Sequence, residues 1–344
     1  MPSISDYFCD AEVQKITKIK THKNHPLAPF LKFNHTSTFN DFNCIYENTL
    51  DGMRLASVHD SKWFSKIKKI LLNDAYENTS SALSELRAYG CLKRAFFDFT
   101  MEPISKGKKS SPDFSIEYNA EKLFIEVYCK NINGEMLDKI KEYEIQDFTN
   151  SKNITITPFG IPKKNENITE NVIHSLAQAK EKETQANYDF YSILWVDIQD
   201  NSIRQLIRPP SALPIRSWNG HYNSGELWYS CYGNKGLPIL EGEDCFNYTL
   251  MRHDGRFNES GSKYDAIVFS LPKATIQFEN PHSKKKLSNN LRYWVFKIPW
   301  FKLEYSWLKF PNNDLIERIN LEKKRIRLFC NFIRRRNGAR HHMR

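Results

Sequence analysis

Apolar positions recur at helical spacing over residues 60–75, where Trp63, Phe64, Ile67, Ile70 and Leu71 alternate with Lys62, Lys66, Lys68 and Lys69. This pattern predicts an amphipathic helix with a lysine-rich outer face. A second helix is expected from Ser80 or Ser81, both suitable N-caps. Its stripe is Leu83, Leu86, Ala88 and Leu92, with Glu85 near the edge. Gly90 is not expected to stop it, because Cys91 and Leu92 continue the apolar pattern. The period then shortens to two. Residues 96–101, 113–118 and 123–128 are expected as three strands, the last apolar enough to be central. The basic stretch 105–111 joins the first two, and Asn119-Ala120-Glu121 turns the second into the third. The expected unit is a helix followed by an antiparallel meander.

Further on, Asn167-Ile168-Thr169-Glu170 has the spacing of a capping box, and a helix is expected to about residue 184. Residues 191–198 follow as a buried strand. Helix then strand after a meander indicates a mixed sheet in an α/β chain leaning toward α+β. Residues 205–262 are rich in Pro, Gly, Trp and Tyr and predict long loops or short strands, and residues 263–271 return to a clear strand. A final helix is expected after Pro311, with Leu315, Ile319, Ile326, Phe329 and Ile333 on one face. The division expected from these shifts is an N-terminal arm or small subdomain (1–58), a core (60–200), an aromatic and loop-rich β extension suited to target recognition (201–310), and a basic C-terminal helix and tail (311–344).

Composition adds a partner class. The chain of 344 residues is 40% hydrophobic and 13% aromatic, enough for a packed core. Its net charge of +10 favours a polyanion, since each Lys or Arg set near a phosphate releases a counterion. The excess concentrates near the end, in Lys323, Lys324, Arg325, Arg327, Arg334, Arg335 and Arg336, and is echoed by Lys106, Lys108 and Lys109 in the basic turn. These are the candidate contacts to a nucleic-acid backbone. Seven cysteines, an odd number with no CxxC pair, argue against a zinc knuckle or a disulfide framework. Reduced thiols and the lack of a visible signal peptide lead to the expectation of a cytoplasmic protein with no membrane partner.

The central stretch carries the candidate chemistry. Asp113 opens one strand and Glu126 sits within the next, between Ile125 and Val127, where a carboxylate is costly to bury without a partner or a metal. Mg²⁺ takes oxygen ligands and needs only one or two protein carboxylates. Strand parity sets Glu126, Tyr128 and Lys130 on one face. Elsewhere the signals are weaker. No phosphate-binding GxxxxGK[ST], GxSxG elbow or HExxH occurs. His22 and His25 lack a partner at metal-ligand spacing, and His221 and His253 have no identifiable partner. Asp197 at a strand end fits a cap better than a site acid. The aromatic run at residues 293–301 fits a core better than a base-stacking surface.

Pro112-Asp113, Glu126 within Leu123-Phe124-Ile125-Glu126-Val127, and Glu85 on the preceding helix together resemble the PD-(D/E)xK nuclease superfamily over roughly residues 80–200. The resemblance implies a restriction-endonuclease-like core, a central mixed β-sheet flanked by helices, with N- and C-terminal additions. It implies metal held by Glu85, Asp113 and Glu126, with Mg²⁺ as cofactor and Mn²⁺ as a substitute. The implied activity is phosphodiester hydrolysis in DNA rather than RNA, by an endonuclease of restriction or defence type that could act as a homodimer. The family pattern places lysine at position 128, where this chain has Tyr128. Lys130 is the first candidate for a displaced catalytic lysine, and Lys180 or Lys182 the second. Gln178 or Gln185 could also reach the site. The alternative is a catalytically inactive nuclease-like fold that binds DNA or RNA.

Overall fold

The computed structural model describes residues 3–18, 25–33, 40–95, 100–103, 112–118, 120–129, 168–179, 189–199, 207, 209–218, 221–241, 248–258, 262–285, 287–289, 295 and 312–341. Five helices come first: α1 (Asp10–Lys18), α2 (Ala28–Leu31), α3 (Asp41–His59), α4 (Ser61–Leu71) and α5 (Tyr76–Ala95). Helix α4 is the lysine-faced helix expected from its period. Helix α5 begins earlier than Ser80. The Asn73 side chain accepts the Ala75 N–H and the Thr79 N–H donates to Ala75 O, so the first turn forms upstream, and the Ser84 hydroxyl donates to Ser80 O inside the helix.

Strands β1 (Thr100–Pro103), β2 (Phe114–Tyr118) and β3 (Glu121–Cys129) form the expected antiparallel meander. The first strand lies later than the 96–101 window, whose residues 96–99 fall outside the described set. Ala120 carries the tight β2–β3 turn at a φ of 69°. Helix α6 (Ile168–Ala177) then leads to β4 (Tyr191–Asp197), which runs parallel to β3. Four short strands follow, β5 (Ile215–Trp218), β6 (His221–Ser224), β7 (Pro238–Ile239) and β8 (Thr249–Leu250). Helix α7 (Glu226–Tyr232), which the sequence pattern did not predict, interrupts them. Strands β9 (Ala266–Leu271) and β10 (Ala274–Glu279) return to the central sheet, whose order is β1-β2-β3-β4-β9-β10. The central sheet therefore continues past residue 200. The chain ends in α8 (Asn312–His341).

This is a mixed α/β fold with a central mixed sheet flanked by helices. Alternation along the strands explains the layers. Phe114, Ile116, Leu123, Ile125, Val127, Ile193, Trp195 and Val268 face one way and pack with Met53, Phe64, Ile67, Leu86 and Tyr89 of α3–α5. Leu194, Val196, Ile267 and Phe269 face the other way and pack with Val172, Ile173 and Leu176 of α6, Trp228 of α7, and Leu315 and Ile319 of α8. Ile4, Phe8, Ile16, Leu27 and Phe30, from the first 58 residues, belong to the same cluster as α5 and the sheet. No helix among the described residues is long and apolar enough to cross a membrane.

Candidate active site

Asp113 is a bend immediately before β2. The β2–β3 ladder pairs Phe114 with Ile125, so one further step would oppose Asp113 to Glu126. The bend changes that step. The Asp113 N–H donates to Ile125 O at 2.9 Å, and one carboxylate oxygen accepts the Val127 N–H at 2.8 Å. Beyond the end of β2 the side chain thus takes the place of a ladder carbonyl, and it lies against the peptide that joins Glu126 to Val127. Glu126 itself alternates with Ile125 and Val127 and so leaves β3 on the α6 side, where Tyr128 packs into the second core. Exposure is 5% for Asp113, 2% for Glu126 and 8% for Glu85.

Glu85 is buried because α5 is covered nearly all round; every residue from Ala82 to Gly90 is buried between α3, α4 and the sheet. It therefore does not occupy a solvated helix edge. Glu85 and Asp113 line one cleft of about 590 Å³, whose far wall is α4, with Lys62, Trp63, Lys66, Ile67 and Ile70. Asp60 and Pro103 border it as well, and Glu126 is not part of its wall. Asp60 accepts the Tyr89 hydroxyl at 2.5 Å, and Tyr89 stacks on Trp63 with ring centroids 4.9 Å apart. Helix α4 is fastened to α5 by these contacts. Burial and the Asp60 hydrogen bond push the Tyr89 phenol up, which keeps it a proton donor.

The expected set of three acids is therefore not brought together: Asp113 shares a cleft with Glu85 and accepts the Val127 N–H, while Glu126 leaves β3 on the other face. Among the described residues no group of three or more His, Cys, Asp or Glu is gathered as a metal cage. Tyr128, in the lysine slot, is half-buried, and burial pushes its phenol up, helped by Cys129 and opposed by nearby Arg256. Lys130, Lys180, Lys182 and Gln185 lie outside the described residues, as do Lys106, Lys108 and Lys109. Gln178 is exposed just beyond α6. On α8, Lys324, Arg325 and Arg327 are exposed, while Lys323 turns inward and donates to the Asn258 side chain at 2.6 Å. Arg334, Arg335 and Arg336 lie on the same helix.

Other candidates take structural places. Asp197 is buried and receives both Arg87 Nε at 2.9 Å and Arg87 Nη2 at 3.2 Å, joining α5 to the end of β4. It also caps the Gln199 N–H at 2.9 Å. His25 is a buried hydrogen-bonding residue between Asn73 O and the Leu27 N–H. His253 does have a neighbour: its ring stacks on His174 at 4.2 Å. Lys62 and Lys66 were not among the candidate site residues, although the lysine-rich face of α4 was legible; nothing in the sequence aims that face at Asp113. No protein-family model, curated protein or solved structure matches this chain.

Proposed function

We propose that this protein is a divalent-cation-dependent nuclease of the PD-(D/E)xK type that hydrolyses phosphodiester bonds in DNA. The observation that carries this reading is the position of Asp113, bonded to the Val127 N–H and lining one cleft with Glu85, Lys62 and Lys66. The order α5, meander, α6, β4 supports it, because it is the order of that family's core. The donors in the cleft also fit a hard cation: Asp113 and Glu85 both offer carboxylate oxygen and both are buried. Mg²⁺ is satisfied by one or two protein carboxylates with water and substrate phosphate in the other positions. Asp113 and Glu85, which share the cleft, would hold it, and Mn²⁺ would substitute; Glu126 leaves β3 on the opposite face and lies outside the cleft wall.

Bound there, the ion supplies charge neutralisation at the phosphoryl oxygens and a more acidic water. The chain's own part is positional. The Val127 N–H fixes one oxygen of Asp113. Lys62 and Lys66 carry positive charge at the cleft where an entering phosphate would need it. Lys130, or Lys180 or Lys182, would orient the attacking water. A supercoiled plasmid incubated with Mg²⁺ tests the proposal. Nicking by the wild type is expected to fall at least ~100-fold in Asp113→Asn and in Glu85→Gln, with unchanged circular dichroism. Cleavage that survives both substitutions would exclude this site.

One observation favours a second reading, a nuclease-like fold that only binds nucleic acid. The slot for the lysine is held by Tyr128, packed into the second core. Salt-sensitive DNA binding with no cleavage in Mg²⁺ or Mn²⁺ would select it.

A further inference from the structure

Helix α4 presents two kinds of side chain to the cleft. Lys62 and Lys66 are one turn apart, exposed, and make no ion pair with a described residue. Trp63, Ile67 and Ile70 fill the wall beside them. Trp63 is only partly buried although it stacks on Tyr89 and meets the Phe114 ring edge-on at 5.6 Å, so the platform is braced from behind. Ile70 leaves 39% of its surface open. Lys68, by contrast, turns away to Glu12 at 2.9 Å. A wall of lysines and exposed apolar surface, in one cleft with Glu85 and Asp113, suits a ligand with an anionic backbone and a flat apolar part. The cleft volume of about 590 Å³ lies in the range of ~300–1,000 Å³ that encloses a small ligand. That is room for unpaired nucleotides, with the bases held in their stack by a duplex left outside.

We infer that this cleft binds single-stranded nucleic acid, with backbone phosphates at Lys62 and Lys66 and a base against Trp63 and Ile70. The inference rests on the nucleic-acid reading above and names the form of substrate: a single strand, a flap or a frayed end rather than an intact duplex. Stacking on an aromatic platform beside cations is sequence-tolerant, because every base has a π-face. The acids opposite α4 oppose an anion, so binding is expected to strengthen when a divalent cation is present.

The test is fluorescence anisotropy with the full chain, using a 12-nucleotide thymidine oligomer and a 12-base-pair duplex in buffer containing Ca²⁺, which takes the same oxygen donors as Mg²⁺. The single strand is expected to bind at least ~10-fold tighter than the duplex. Lys62→Glu/Lys66→Glu should weaken single-strand binding at least ~10-fold and flatten the log–log salt slope by about 1.4, the value for two lost phosphate contacts. A charge-matched control, Lys235→Glu/Lys284→Glu, alters exposed lysines outside the cleft and should lose less than ~3-fold. Equal or tighter binding of duplex, or a cleft variant no weaker than the control, would overturn the inference. The same oligomers incubated with Mg²⁺ and wild type or Asp113→Asn separate the two claims. Cleavage without single-strand preference sinks only this inference. Preference without cleavage sinks only the nuclease.

Discussion

Lys323 shows how far a side chain can depart from the role its charge suggests. It belongs to the basic run of α8, yet it is half-buried and hydrogen-bonded to Asn258, beside Arg327. Burial, then Arg327, pull its ammonium down to about 8, with Asp254 opposing. At pH 8 about half of this amine is expected to be uncharged. Its acylation by a dilute amine-reactive reagent, followed by peptide mass spectrometry, is expected to rise through a midpoint near pH 8. A midpoint well above pH 8, near the ordinary lysine value of about 10.4, would contradict the inward placement. Asp113 is the other instructive residue. Its aspartate-after-proline context was visible in the chain, but its hydrogen bond to Val127 depends on where β2 begins against β3.

Helices α3 and α5 cross at backbone distance. A Cβ on Gly52 would lie 2.1 Å from Leu86 O, and one on Gly90 would lie 2.9 Å from the Gly52 Cα. Gly90 therefore sits within a continuous helix for packing reasons, not as a stop signal. Gly52→Ala must drive the two helices apart. Its expected cost is about 2–3 kcal/mol in urea unfolding, the upper part of the range for overpacking. Because Glu85 rides on α5, the nicking proposed for this chain should, if present, fall along with stability. An alanine at Gly52 that left the urea midpoint unchanged would show that the crossing is looser than this. The meander, α4 and α6 were legible because each carries its own period, short and complete within one segment. The start of α5 and the presence of β10 were not. The first is decided by Asn73 side-chain bonding, and the second by pairing of Ala274–Glu279 with β9. Helix α7 was hidden because every one of its residues is buried, which removes any polar face for a period to mark.

Two hydrophobic clusters lie on opposite faces of one sheet, and the N-terminal segment is part of the first. Ile4 and Ile16 are fully buried there, and Glu12 pairs with Lys68 of α4 at 2.9 Å. Removal of residues 1–18 is expected to cost several kcal/mol, at ~2 kcal/mol for each large buried side chain, and to lower the melting temperature or the soluble yield. A detachable arm would leave both unchanged. Local period and composition were enough to define the helix–meander–helix–strand order, the basic excess and the three acids, because propensity, alternation and charge are properties of short stretches. The chain pattern could not show that Asp113 would turn in to cap Val127, that Glu85 would be enclosed, or that Lys62 and Lys66 of α4 would line one cleft with them. These depend on which strand ends first and on how closely α3, α4 and α5 pack. Such contacts join residues far apart in sequence, and only the tertiary structure brings them together.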